Sequence, residues 1–347
     1  MNKPVISVIM SVYNGEEFLE ETMESVLKQT FKDFEFIIID DCSMDNSLKI
    51  LKDYASSDDR IKIIHNENNM GLQTSLNRGI DVAQGEFIIR VDADDVCRID
   101  RFEKQYRFMK KHPKLDMSAC KFYLYVNGSV IPTPMIQRTD VNSVKSLFLF
   151  ANPICHPCVI MKTEIAKKMK YDTRFTCSED LELWIRMLLD NKKIAVQRER
   201  MMLYRRHKNQ ITANSSEAQA THYRDIMSKF YKTMLFELTD DELDFLTKGI
   251  YFVKDADIDK LSAFLKKTQD KNKERKSFSS HSIKYACFEA LLQYRRKGID
   301  VRKQLLNLGI GFLVCEFVIR TFENLTERIK RRSTLVVFEK TMRGVLK

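Results

Sequence analysis

The chain has 347 residues, room for one large α/β domain with an appendage or for two domains, and its 44% hydrophobic and 31% charged content is that of soluble globular proteins. A net charge of +10 is unevenly spread: Arg320 to Lys347 hold eight Lys or Arg against three Glu, a local +5 that suits an anionic surface. No apolar run approaches the roughly 20 residues needed to span a bilayer; the longest, Leu308 to Ile319, is broken by Glu316.

Taken in order, Met1 to Pro4 leads straight into a strand-like run with no basic segment and long apolar stretch before it, so no signal peptide is expected and a cytoplasmic location is. Val5 to Val12 (VISVIMSV) reads as a strand, and Tyr13-Asn14-Gly15 as a turn. Glu16 to Thr30 carries Phe18, Leu19, Met23, Val26 and Leu27 at helical spacing, with acidic residues in the first turn where the helix dipole favours them. Phe36 to Ile39 is a short strand that runs into Asp40 and Asp41. Asn46 to Tyr54 is helical, Ile61 to Ile64 a third strand, and Leu72 to Val82 a helix after the Gly71 turn. Gly85 opens a fourth strand, GEFIIRVDADD, which ends in Asp92, Asp94 and Asp95, three carboxylates within four positions.

Alternating strands and helices imply a mostly parallel sheet covered by helices on both faces, with ligands beyond the carboxyl ends of the strands. The loops after the first, second and fourth strands carry Ser11 and Tyr13, Asp40 and Asp41, and Asp92 and Asp94, so these clusters are expected to meet in one cleft. Carboxylates packed as closely as Asp92, Asp94 and Asp95 repel each other and are relieved by a hard cation, Mn²⁺ or Mg²⁺; the plainer reading is a solvated turn. Neither GxGxxG nor GxxxxGK[ST] occurs, which argues against a dinucleotide dehydrogenase or a P-loop enzyme. Cys155-His-Pro-Cys158 is a lone CxxC, and the eight cysteines read mostly as reduced thiols.

The segments PVISVIMSVYNGEEFLEETMESVLKQTF, IIIDDCSMDNSL, NMGLQTSLNRGI and GEFIIRVDADD, with SEDLELWIRM at Ser178 to Met187, resemble the GT-A catalytic domain of family 2 inverting glycosyltransferases of the bacterial cell-surface polysaccharide type, over roughly residues 4 to 210. Cys42 stands where a Gly is usual in that family, and Leu76 precedes Asn77 where many relatives have Arg. The resemblance implies a Rossmann-like GT-A sheet and transfer of a sugar from a nucleotide-sugar donor, with UDP as the expected nucleotide. It implies direct metal ligation by Asp94, with Asp92 shared between metal and ribose, and nucleoside binding by Ser11, Tyr13 and Asp41. Inversion requires a base opposite the leaving group; Asp180 matches the family's base position and Glu179 is the runner-up, while a plain helix cap at Ser178 is compatible with either. His156, in the segment resembling the acceptor-side loop, and His207 with Arg205 or Arg206 are candidates for diphosphate or acceptor contact. The QxxRW signature of processive members is missing, so single additions are expected.

Two regions are expected: a catalytic domain over 1–212 and a helical region over 213–347, with Lys267 to Ser280 as a polar linker. From Ile310 to Ile329 apolar residues recur at helical spacing, followed by basic Arg328 to Arg332. Peripheral binding to an anionic membrane and packing on the catalytic domain or another subunit explain this stripe equally well. The expected partners are a nucleotide-sugar donor and a glycan or lipid-linked acceptor, with no nucleic acid. The alternatives are a degenerate transferase domain serving as a scaffold, and a nucleotidyltransferase, although SVYNGEEF is acidic where that class has a basic Gly-rich loop.

Overall fold

The computed structural model describes residues 3–133, 138–207, 216–252, 258–296 and 298–317. In chain order the N-terminal half runs β1 (Ile6–Val12), α1 (Glu16–Leu27), β2 (Phe34–Asp40), α2 (Ser47–Ala55), β3 (Ile61–His65), α3 (Leu72–Val82), β4 (Phe87–Arg90), β5 (Val96–Cys97) and α4 (Arg101–Lys111). It continues with β6 (Met117–Val126), β7 (Ser129–Pro132), α5 (Val141–Leu147), β8 (Val159–Lys162), α6 (Thr163–Met169), α7 (Glu179–Leu189) and β9 (Ile194–Arg205). Helices α8 (Ser216–Met234), α9 (Asp240–Phe252), α10 (Ile258–Arg275), α11 (Ser280–Arg296) and α12 (Arg302–Leu306) follow.

One sheet runs β3-β2-β1-β4-β8-β6-β9-β5, with β7 hydrogen-bonded to β6. Its first four strands are parallel. Beyond β4 the sheet is mixed: β8 is antiparallel to both β4 and β6, and β9 is parallel to β6. The continuous apolar runs of the parallel strands follow from burial on both faces. Side chains alternate across a strand, so Ile6, Val8, Met10 and Val12 of β1 join Phe34, Phe36 and Ile38 of β2 on one face, against Leu19, Met23 and Val26 of α1. Ile9, Ile37 and Ile39 point the other way, into a cluster with Leu76 and Ile80 of α3.

Two glycines set how closely the layers approach. A Cβ on Gly85 would lie 2.5 Å from the Ser7 nitrogen and 2.7 Å from the Ile6 carbonyl carbon, backbone atoms that cannot move aside. At Gly79 a Cβ would meet Ile9 and Ile39 side chains at 2.7 and 2.8 Å, so α3 can lie directly on the sheet only without a side chain there.

The helices after residue 216 share the second core: Trp184 of α7, Phe230 and Tyr231 of α8, Phe264 of α10 and Tyr285 of α11 belong to the cluster that contains Ile9. The expected boundary at 212 and 213 lies outside the described residues, as does the segment from 318 onward. The expected polar linker from Lys267 to Ser280 is corrected by the structure, because α10 continues to Arg275. Its Lys, Gln, Glu and Arg are good helix formers, and two polar residues face inward. Buried Thr268 donates to the Phe264 carbonyl, and Asn272 bonds both the amide and the carbonyl of Phe278, tying α10 to the start of α11. Only residues 276–279 remain as a connection. Among the described residues no helix is long and apolar enough to cross a membrane.

Candidate active site

In the sheet β1 lies between β2 and β4, all three parallel, so the loops that follow them open on one edge. The first two are laced together. Asn14 N–H donates to Ser43 Oγ at 3.1 Å, Met44 N–H to Asn14 Oδ1 at 2.8 Å, and Glu16 N–H to Asp45 Oδ2 at 3.0 Å. Cys42 takes φ of +63°, a left-handed backbone that costs a residue with a Cβ about 1 kcal/mol and that a Gly would adopt freely.

Asp41 is buried and organises the turn ahead of α3: its Oδ1 accepts from Asn66 Nδ2 (2.6 Å) and Met70 N–H (2.8 Å), and its Oδ2 from Gly71 N–H (2.9 Å). Asp40 is buried beside it and pairs with His65 Nδ1 at 2.7 Å. Ser11 is half-buried at the end of β1, and Tyr13 is 51% exposed at the rim.

After β4, one oxygen from each of Asp92, Asp94 and Asp95 falls within 4.8 Å of the others. Thr22 of α1 holds this turn through its hydroxyl, which bonds the carbonyls of Ala93 and Asp95 at 2.9 Å each. Arg205, at the end of β9, clamps it from the other side. Its amide donates to Asp95 Oδ1 (2.9 Å) and its Nε to the Asp94 carbonyl (2.7 Å), while its guanidinium lies 4.4 Å from the Phe18 ring centre and pairs with Glu21. His207 Nε2 is 2.9 Å from Asp94 Oδ2, and its ring packs on Phe18. Arg206 is exposed and contributes its amide to the Tyr125 carbonyl.

Arg90, a cation inside an otherwise apolar strand, is 5% exposed and pairs with Asp92 through both terminal nitrogens. Burial still drives the Asp92 carboxyl up to about 6, with Arg90 pulling down and Asp94 pushing up. Burial and the Asp94 and Asp92 charges also raise Asp95 well above the carboxylate range, and its buried Oδ2 has no hydrogen-bond partner among the described residues. Three converging oxygens with unrelieved acidity fit a divalent cation of the Mn²⁺ or Mg²⁺ type. The linkage gives a test. Asp92 has a folded-state value above its unfolded 3.8, so its contribution to stability is present at low pH and is lost as pH rises through about 6. In metal-free protein, the thermal midpoint of Asp92→Asn relative to wild type is therefore expected to climb by a few degrees between about pH 4.5 and about pH 7.5. Calorimetric scans at both pH values check it, and a flat difference would show that the carboxylate carries no such penalty.

The second acidic group opens α7. Ser178 makes no side-chain cap bond, so Glu179 and Asp180 are not accounted for by a simple Ser cap. Asp180 Oδ1 accepts from Leu181 N–H at 2.7 Å and Oδ2 from Asn152 Nδ2 at 2.9 Å. Glu179 receives Gln73 Nε2 at 3.4 Å and lies 3.5 Å from His156 Nδ1. His156, 9% exposed, gives its other nitrogen to the Tyr171 hydroxyl at 2.7 Å and stands edge-on to Trp184. Burial, then Arg90, holds His156 well below the ordinary imidazole value, so it is neutral at physiological pH. Burial raises both Asp180 and Glu179; the hydrogen bonds from the Leu181 amide and Asn152 oppose this for Asp180, and Arg90 opposes it for Glu179. Arg90 thus interacts electrostatically with Asp92, Tyr171 and Glu179, linking the two acidic groups.

The sequence reading missed Arg90, Thr22, Tyr171, Gln73 and Asn152. A detectable signal existed only for Arg90: a charge within a buried strand requires a partner.

Comparison with known proteins follows the same lines. The model of glycosyl transferase family 2 matches residues 7–168. An uncharacterized glycosyltransferase of Methanocaldococcus jannaschii, MJ1057, is 34% identical over 208 residues, covering 59% of this chain and 72% of the relative. Among solved structures, Staphylococcus aureus TarS (residues 1–349) in complex with UDP-GlcNAc aligns with a TM-score of 0.57 at 20% identity, covering 87% of this chain and 88% of that one. The mannosyltransferase PcManGT of Pyrobaculum calidifontis, in complex with GDP-Man and Mn²⁺, aligns with a TM-score of 0.53 at 14% identity over 99% of this chain and 88% of that one. The fold is thus GT-A, and the chain is a glycosyltransferase belonging to family 2.

Proposed function

We propose that this enzyme transfers a sugar with inversion from a UDP-sugar to a hydroxyl of a glycan or lipid-linked acceptor in cell-surface polysaccharide synthesis. The observation that carries the reading is the arrangement of acids on this face: a carboxylate trio after β4, whose Asp92 is paired with buried Arg90, and a half-buried Glu-Asp pair at the start of α7. The bound nucleotide sugars of TarS and PcManGT support a nucleotide-sugar donor, and the Mn²⁺ of PcManGT supports a divalent cation.

In this reading Asp92 and Asp94 hold the cation, which when bound supplies Lewis-acid stabilisation of the departing diphosphate. Arg90 fixes both oxygens of Asp92, and His207 orients Asp94. Tyr13 offers a ring face to the base; Asp41 braces the turn before α3 and keeps acceptor capacity for an imide N–H. Asp180, oriented by Asn152 and the Leu181 amide, takes the proton of the acceptor hydroxyl as it attacks. Glu179, between Gln73 and His156, fixes the start of α7 and is the alternative base. His156 acts through Glu179 and Tyr171.

Titration calorimetry with UDP tests the donor side. Wild type is expected to bind UDP in the presence of Mn²⁺ and at least about tenfold more weakly without it, and Asp94→Ala to lose the metal-dependent part. Metal-independent binding, or binding undisturbed in Asp94→Ala, would overturn the assignment; binding of GDP in place of UDP would move the nucleotide while keeping the site.

A further inference from the structure

His156 is a buried imidazole set between a phenol and a carboxylate, so its two nitrogens face different chemistry. Nε2 lies 2.7 Å from the Tyr171 hydroxyl, and Nδ1 lies 3.5 Å from Glu179 Oε1. Both neighbours are held by one face of α3. Asn77 pins the Tyr171 backbone from two sides, donating through Nδ2 to its carbonyl and accepting its N–H through Oδ1, each at 2.9 Å. One turn earlier, Gln73 donates to the Phe175 carbonyl at 3.1 Å and reaches Glu179 Oε2. The phenol therefore meets the imidazole in a fixed pose.

A neutral imidazole carries one proton, on either nitrogen. Three observations place it on Nδ1. The Tyr171 hydroxyl is buried and bonds no other group among the described residues, so its proton has an acceptor only if Nε2 is bare. Arg90 lines the same cavity as Tyr171 and its charge acts on the phenol, which favours a hydroxyl whose lone pairs face the cation and whose proton does not. Beside Glu179, an N–H is attracted by the carboxylate where a bare nitrogen is repelled. We propose that Tyr171 is a positioning residue: its hydroxyl donates to His156 Nε2 and holds the ring as the Nδ1–H tautomer, with that N–H turned to Glu179 at the start of α7. The N–H steadies the carboxylate next to Asp180, so the role in catalysis rests on the acceptor-side reading of that pair, whereas the tautomer stands without it.

The test is NMR of the full, metal-free chain labelled with ¹⁵N-histidine, the His156 signals being those that vanish in His156→Gln. Wild type is expected to show Nδ1 protonated and Nε2 bare, with this tautomer favoured by about tenfold or more, the reverse of the preference of an unconstrained imidazole. Tyr171→Phe removes the donor and should move the bare Nε2 signal toward that of an unbonded nitrogen, with Mn²⁺-dependent UDP affinity kept within about threefold. The wild-type spectrum decides the tautomer even if Tyr171→Phe proves too unstable to study. Protonation of Nε2 in wild type, an Nε2 signal unmoved in Tyr171→Phe, or a loss of UDP affinity of about tenfold in that variant would overturn the proposal, the last by placing Tyr171 on the donor side. Neither nitrogen signal depends on nucleotide or turnover, so failure here is separable from failure of the donor-site reading.

Discussion

Asp180→Asn is expected to lower kcat by about 10²- to 10⁴-fold while leaving UDP affinity within about twofold. The amide keeps the shape and can still accept from Asn152, but it cannot take a proton. The wild-type pH profile carries a second signature. The base works only when ionised, so kcat rises with pH through its ionisation, and burial displaces that ionisation upward from the ordinary carboxylate value. The acidic limb of the kcat profile should lie above that of an exposed aspartate. Glu179→Gln is the internal control: a smaller effect is expected, expressed through the placement of α7 and the His156 and Gln73 contacts. If Glu179→Gln were the more damaging change and Asp180→Asn retained near wild-type turnover, the base would be Glu179.

Arg90→Met should destabilise the protein by about 3 kcal/mol, toward the low end for breaking a buried ion pair because Asp92 retains some contact with water. The loss arises less from the attraction given up than from the carboxylate left in a poorly solvated site. Arg90→Met combined with Asp92→Asn is therefore expected to recover a large part of it, a coupling readable from urea midpoints at constant m. Arg90→Lys should rescue only partly, since an ammonium cannot reach both carboxylate oxygens as the planar guanidinium does. Additive losses in the double variant would mean that the two side chains are stabilised independently.

The parallel half of the fold was legible because its signals are local. Four apolar runs, the first three each followed by a turn and helical periodicity, fix the alternation, and Leu72–Val82 is read to the residue. The mixed half was not, because β6, β8 and β9 are set by pairing partners about 40 to 80 positions apart, which leave no periodic trace. The site followed the same division. Asp41, Asp92, Asp94, Glu179 and Asp180 announce themselves as acids at element ends. Thr22, Tyr171 and Asn152 are ordinary residues whose importance comes from what the fold places next to them. The linker misreading over 267–275 has a similar origin: KTQDKNKER is polar enough for a loop, yet inward-facing Thr268 and Asn272 turn it into a packed helix.

The reach of β9 has a consequence for how the enzyme is made. Asp94 and its partner His207 are 113 positions apart. At about 5–20 residues per second, a ribosome needs roughly 6 to 23 s to pass from one to the other. Throughout that interval the acidic turn after β4 has emerged without Arg205 to clamp it or His207 to face it, and the four parallel strands present β4 as an open edge until β8 arrives. The nascent chain acquires its parallel frame early, and the turn proposed to hold the donor is clamped only once the end of β9 has emerged, with α8 to α12 still to follow, so exposure to nucleotide during synthesis is expected to stabilise only chains that have passed that point.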